Sequence, residues 1–141
     1  MKTKFKLLPV ILMLALFQSC VPEDQVPPDT GDVRDKYVGT WLFIDYAPNR
    51  NLKSTFAVVI TLNPNNSSQV LLSNFGNPGS GFDPAYGIAT SGNITVPSQN
   101  TATDWLTDGS GTLTNASTMS WSYSITAGGT KTTYQATATK Q

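Results

Sequence analysis

From Thr118 to Thr126 the chain alternates without a break. Met119, Trp121, Tyr123 and Ile125 fall on one parity, and Thr118, Ser120, Ser122, Ser124 and Thr126 on the other. Successive side chains of an extended segment point to opposite faces. One face of this segment is therefore apolar and the other wet, which is the pattern of a half-buried strand. The same period recurs upstream and downstream. Phe56, Val58, Ile60 and Leu62 alternate with Thr55, Ala57, Val59 and Thr61, while Tyr134, Ala136 and Ala138 alternate with Thr133, Gln135, Thr137 and Thr139. Shorter extended runs cover 38–46, 69–75, 84–90, 93–98 and 111–115. Between the runs lie Asn63-Pro64-Asn65-Asn66, Asn77-Pro78-Gly79, Ser91-Gly92-Asn93, Asp108-Gly109-Ser110-Gly111 and Ala127-Gly128-Gly129. These carry the residues that turns require.

So many short strands joined by short turns predict an all-β antiparallel meander. Closing the sheet removes its unpaired edges. The expected fold is a small up-and-down β-barrel of seven to eight strands. At eight strands the interior is about wide enough for side chains to fill, or for one small ligand.

The N-terminal part has a different character. Lys2, Lys4 and Lys6 precede an apolar run from Phe5 to Phe17 that is too short to cross a membrane comfortably. Residues 1–19 read as a secretion signal. The run ends in Phe17-Gln18-Ser19-Cys20, which resembles a lipobox, although Phe17 and Gln18 depart from the strict pattern. Cys20 is the chain's one cysteine, so it has no internal disulfide partner. Lipidation at Cys20 with palmitate-type acyl chains would anchor the mature protein to a membrane. From Cys20 to Lys36, Pro22, Pro27, Pro28 and Gly31 stand among five acids. Such a composition is stiff, extended and unable to bury a core, so 20–36 reads as a linker. Glu23 and Asp24 also resemble an acidic surface-export signal. The barrel domain is expected over 37–141.

Charge excludes several partners. Arg50, Lys53, Lys131 and Lys140 balance Asp45, Asp83, Asp104 and Asp108 across the domain. Four dispersed cations cannot neutralise a row of phosphates, so no nucleic acid is expected. The sequence has no histidine, and lipidation removes its only thiol. Ser–His and Cys–His pairs and the usual zinc sites are therefore not expected, and no cofactor or metal is implied. Carboxylate chemistry would need two facing acids. Asp104 and Asp108 are close in sequence but read as turn formers, and the chain is not expected to be an enzyme.

The large aromatics are the remaining candidates for ligand binding: Trp41, Trp105, Trp121 and Tyr123. Trp105 stands between two acids and could stack on a sugar or anchor a protein partner. Its structural alternative is to plug a barrel mouth. Trp41 and Trp121 fit core positions better still.

Arg34-Asp35-Lys36-Tyr37-Val38-Gly39-Thr40-Trp41 resembles the opening of small lipocalin-like lipoproteins of Bacteroidota, a largely uncharacterised family. The likeness continues through Val70-Leu71-Leu72-Ser73-Asn74-Phe75-Gly76, Ile94-Thr95-Val96-Pro97-Ser98-Gln99, Gly109-Ser110-Gly111-Thr112-Leu113 and the closing Ala138-Thr139-Lys140-Gln141. It implies a lipocalin-like barrel with Trp41 packed across one end, on an outer-membrane lipoprotein. The functional expectation is a binding or structural module. The alternatives are a carrier of a small hydrophobic or glycan ligand, and an exported enzyme inhibitor using 75–82 or 103–108 as its loop. The first prediction concerns the anchor. Alkyne-tagged palmitate fed to expressing cells should label the wild-type protein and not Cys20→Ser, and equal labelling of both would remove Cys20 as the acylated residue.

Overall fold

In a computed structural model, residues 31–47 and 50–141 are described; the expected signal, Cys20 and most of the linker lie outside them. The strands are β1 (Gly39–Ala47), β2 (Arg50–Leu62), β3 (Gln69–Ser73), β4 (Ala85–Ala89), β5 (Asn93–Ala102), β6 (Trp105–Asn115), β7 (Thr118–Ala127) and β8 (Thr130–Lys140). Each pairs antiparallel with the next, and β8 returns to β1, giving a closed eight-stranded barrel. The expected all-β up-and-down architecture is therefore what the chain adopts.

The closing ladder sets Trp41 opposite Lys140, Phe43 opposite Ala138 and Asp45 opposite Ala136. Phe43 and Asp45, inward residues of β1, thus face alanines on β8. The inward positions of β4 are also small, being Ala85, Gly87 and Ala89. A Cβ on Gly87 would stand 2.6 Å from the Ile94 side chain. Large and small inward residues on facing strands let a narrow barrel fill without voids or overlap.

One stretch departs from the sequence expectation. Asp108-Gly109-Ser110-Gly111 is not a turn but lies within β6, with Gly109 paired to Tyr123 and Gly111 to Trp121. A Cβ on Gly111 would lie 2.2 Å from Trp121 Cε2, and one on Gly109 would lie 2.5 Å from Tyr123 Cβ. The glycines clear space for aromatic rings laid on the neighbouring strand, a use of strand glycine that resembles turn chemistry in sequence. The turn ahead of β6 is shorter than expected. Only Thr103 and Asp104 separate β5 from β6, and Asp104 takes a left-handed φ of 61°. Trp105 therefore opens a strand and does not stand in a loop.

The two barrel ends differ. At the entry end the chain arrives through a 3-10 turn, Asp35–Tyr37, and the β2–β3, β4–β5 and β6–β7 turns lie beside it. The compact unit spans Gly31–Gln141, so residues 31–36 of the expected linker pack with the barrel. Arg34 explains why. Its Nη1 donates to the carbonyls of Asn66 (2.8 Å), Gln69 (2.9 Å) and Asn63 (3.3 Å) in the β2–β3 turn. Its Nε and Nη2 hold the Asp32 carboxylate, which lowers the Asp32 pKa to about 2. Tyr37 is buried, and its Oη donates to Thr90 O at 2.8 Å in the β4–β5 turn. Trp41 Nε1 in turn donates to Tyr37 O at 2.7 Å, and Lys140 Nζ sits 5.6 Å from the centre of the Trp41 ring.

The Gly111 contact generates a stability test. Gly111→Ala must push the Trp121 indole out of its seat and should destabilise by about 1–3 kcal/mol, read as a lower urea midpoint. Gly92→Ala, where a Cβ meets nothing within 4 Å, should leave the midpoint unchanged. Equal midpoints for the two variants would show that the indole is not seated on Gly111.

Candidate functional site

Three of the four aromatics singled out by sequence lie inside the barrel. Trp41, Trp121 and Tyr123 are all 2% exposed or less. Trp121 and Tyr123 come together with Phe43 and Phe75: the Phe75 centroid is 5.1 Å from Trp121 and 5.2 Å from Tyr123, and Phe43 is 5.5 Å from Trp121. Trp41 belongs to the entry end, held by Tyr37. Trp105 is half-buried and packs against the core from the first position of β6.

Phe75 is the residue whose role sequence reasoning missed. It reads as the end of a strand, yet β3 stops at Ser73. The chain then turns through left-handed conformations at Asn74 (φ 65°) and Gly76 (φ 80°), which drives the Phe75 ring into the barrel. Asn74 fixes this geometry, with Nδ2 donating to Ala57 O at 2.9 Å and Oδ1 accepting from Gly79 N at 3.0 Å. Asn is among the few residues that adopt this conformation readily. The Asn-Phe-Gly order was thus the available signal. The segment 75–82, expected as an exposed apolar loop, is divided: of its two phenylalanines, Phe75 fills the core and Phe82 is open to solvent at 44%.

The core holds one buried acid. Asp45 is 4% exposed; its Oδ2 accepts from Tyr123 Oη at 2.5 Å and its Oδ1 from Ser54 N at 3.1 Å. Burial, and then the adjoining Asp45 carboxylate, push the Tyr123 hydroxyl far above the ordinary phenol range. Tyr123 therefore stays protonated and serves as a fixed donor. Tyr134 stacks on it at 5.1 Å with the planes 17° apart. A buried polar group needs such partners, and Asp45 has two. Trp121 Nε1 is the exception, a buried donor with no acceptor among the described residues.

The far end, where the β3–β4, β5–β6 and β7–β8 connections lie, carries three open clefts. The larger, about 450 Å³, is lined by Asn100, Asp104, Leu106, Thr126, Gly128 and Gly129. A second, about 190 Å³, is lined by Phe82, Asp83, Asn100, Thr101 and Ala102. A third, about 420 Å³, lies over the 73–82 loop and shares Phe82. Asn100 pairs with Leu106, and Leu106 with Thr126, so three outward side chains cross β5, β6 and β7 in a row. The remaining acid of the expected pair, Asp108, does not join Asp104 in a turn. It lies within β6, where Lys131 Nζ approaches it at 3.2 Å. Among the described residues no group of three or more His, Cys, Asp or Glu side chains is placed to hold a metal ion.

No protein-family model matches the chain, and no curated protein matches it. Among solved structures it is similar to EF1p2_mFAP2b bound to DFHBI, at 11% identity and a TM-score of 0.49, over 78% of this chain and 98% of that one. It is also similar to a redesigned β-barrel, at 15% identity and a TM-score of 0.49, over 79% of this chain and 97% of the other. These likenesses are at the level of the fold and assign no ligand or activity.

The Asp45–Tyr123 pair can be tested by stability. Tyr123→Phe removes the donor from a buried carboxylate and should cost about 1–3 kcal/mol. Tyr123→Phe combined with Asp45→Asn should cost less than the sum of the two single changes, because the groups share one interaction. Strict additivity in urea titrations would show that the two side chains do not act as a pair.

Proposed function

We propose that the protein is a lipid-anchored binding module of the outer membrane, which presents the far-end rim of its barrel for recognition. The observation that carries this reading is the contrast between the two ends. The entry end is committed to structure, with Arg34, Tyr37 and Trp41 all bonded inward. The far end holds three open clefts, with Phe82, Leu106 and Tyr46 among the exposed apolar residues beside them. A chain lipidated at Cys20 reaches the barrel at the entry end, through a Pro-rich acidic spacer that holds charge away from an apolar phase. The far end then faces away from the bilayer.

A second reading is favoured by one observation. Trp121 Nε1 is a buried donor without an acceptor among the described residues, and its neighbour Phe75 comes from a loop and not from a strand. A small hydrophobic molecule bearing an acceptor could replace the Phe75 ring. That makes the barrel a carrier, and it predicts saturable quenching of tryptophan fluorescence by such a molecule.

The leading reading is tested by the orientation of the anchored protein. The full chain carrying Asn65→Cys or Ser80→Cys is labelled with a fluorophore and reconstituted in vesicles containing a headgroup quencher. Asn65 lies in the β2–β3 turn at the entry end and Ser80 in the far-end loop. The Asn65 label should be quenched more strongly. Equal quenching, or stronger quenching at Ser80, would overturn the proposed presentation of the rim.

A further inference from the structure

We propose that the two clefts meeting at Asn100 form one site for a neutral oligosaccharide, an inference that rests on the rim reading above and gives its ligand a chemical class. The clefts are adjacent, and Asn100 lines both. Phe82 lies along one arm and Leu106 along the other, exposed to 44% and 41%. Between them stand the Asn100 amide and the carboxylates of Asp83 and Asp104.

These polar groups are uncommitted. Asp45 bonds Tyr123 inside the barrel, Asp108 pairs with Lys131 on its outer face, and Asp32 holds Arg34. Asn63, Asn66, Asn74, Asn93 and Asn115 all use their side chains to fix turns or strand ends. The side chains of Asn100, Asp83 and Asp104 make no hydrogen bond among the described residues. Their polar atoms are free for a ligand.

β5 loses register with β6 twice, between Val96 and Gln99 and again between Asn100 and Ala102. Asn100 therefore stands between two bulges, features that re-aim a side chain and that recur next to binding sites. Pro97, which cannot donate to a ladder, sits in the first. Gly128 and Gly129 form the β7–β8 turn with φ of 56° and 79°, and a Cβ on either meets nothing within 4 Å. The wall of the larger cleft is thus low, leaving a shallow trough across which a chain can lie.

The described lining has two carboxylates, one amide and hydroxyls, and no cation. Phosphates, uronates and nucleic acids are repelled by such a surface. Vicinal sugar hydroxyls both donate and accept: carboxylates take their protons, and the Asn100 amide supplies donors. The C–H faces of a pyranose ring are apolar and stack on exposed aromatic or aliphatic side chains, here Phe82 and Leu106. A basic peptide would satisfy the carboxylates but would leave the amide and the apolar platforms with less to do.

The test titrates the full chain in detergent with cellohexaose, maltohexaose and mannohexaose, and with hexalysine and hexagalacturonate as charged comparators. Isothermal calorimetry should show saturable binding of at least one neutral hexasaccharide. Asn100→Ala should weaken that affinity about tenfold, the equivalent of one lost hydrogen bond. Leu106→Ala should weaken it too, whereas Asn65→Ala at the opposite end should leave it unchanged. Thermal melts of the variants confirm folding, which an unbonded exposed Asn100 does not support. Binding of hexalysine in place of the sugars, affinity unmoved by Asn100→Ala, or no binding of any neutral probe would each overturn the oligosaccharide site. The vesicle orientation result is independent of all three, so it shows whether the rim reading falls as well.

Discussion

The ladder between β1 and β8 governs the rest of the molecule. Once Trp41 to Tyr46 pair with Gln135 to Lys140, every strand has two neighbours and the circumference is fixed. A closed eight-stranded sheet has no edge through which extra volume can escape. Two tryptophans, two tyrosines and three phenylalanines then compete for a cylinder of set width. The barrel accommodates them by cutting side chains elsewhere to a methyl group or to nothing: Ala136 and Ala138 on β8, Ala85, Gly87 and Ala89 on β4, Gly109 and Gly111 on β6. Glycine in a strand weakens it in isolation. Here the backbone of β6 is covered by the indole of Trp121, so part of what the missing side chain would contribute returns through the neighbouring strand.

That economy also explains what the sequence could disclose. Alternation at 118–126 and 133–140 reports one wet face and one buried face directly, and the closed all-β architecture follows from the number of such runs. Gly109 and Gly111 carry the same letters whether they turn a chain or make room for a ring, and only the partner strand distinguishes the two. Phe75 was read with β3 because apolar residues precede it, while its inward course depends on the left-handed turn at Asn74. Arg34 was assigned to the linker because its neighbours are polar. Its burial comes from three carbonyls that lie in a turn far along the chain, and no local pattern announces them.

The candidate rim was less legible than the core for a related reason. Core positions repeat at a period, so several residues testify to each one. A surface cleft is assembled from single residues in a strand, a loop and two turns. Asn100 gains its distinction from two bulges in β5, and Asp83 and Asp104 gain theirs from their place beside it, with carboxylates that make no hydrogen bond among the described residues. Trp105 drew notice as a large ring between charges, yet its place at the head of β6 commits much of the ring to packing.

Arg34 also determines how the barrel meets a mechanical load. A pull applied at Gly31 does not reach the end of β1 first. It meets the guanidinium fastened to the β2–β3 turn and then Tyr37 fastened to Thr90. The tension divides among β1, β2, β3 and β4 before any ladder bond of β1 is loaded alone. Several bonds must therefore yield together, where an unfastened strand would peel one bond at a time. Load that enters the domain at residue 31 is in this way shared at the point where it enters.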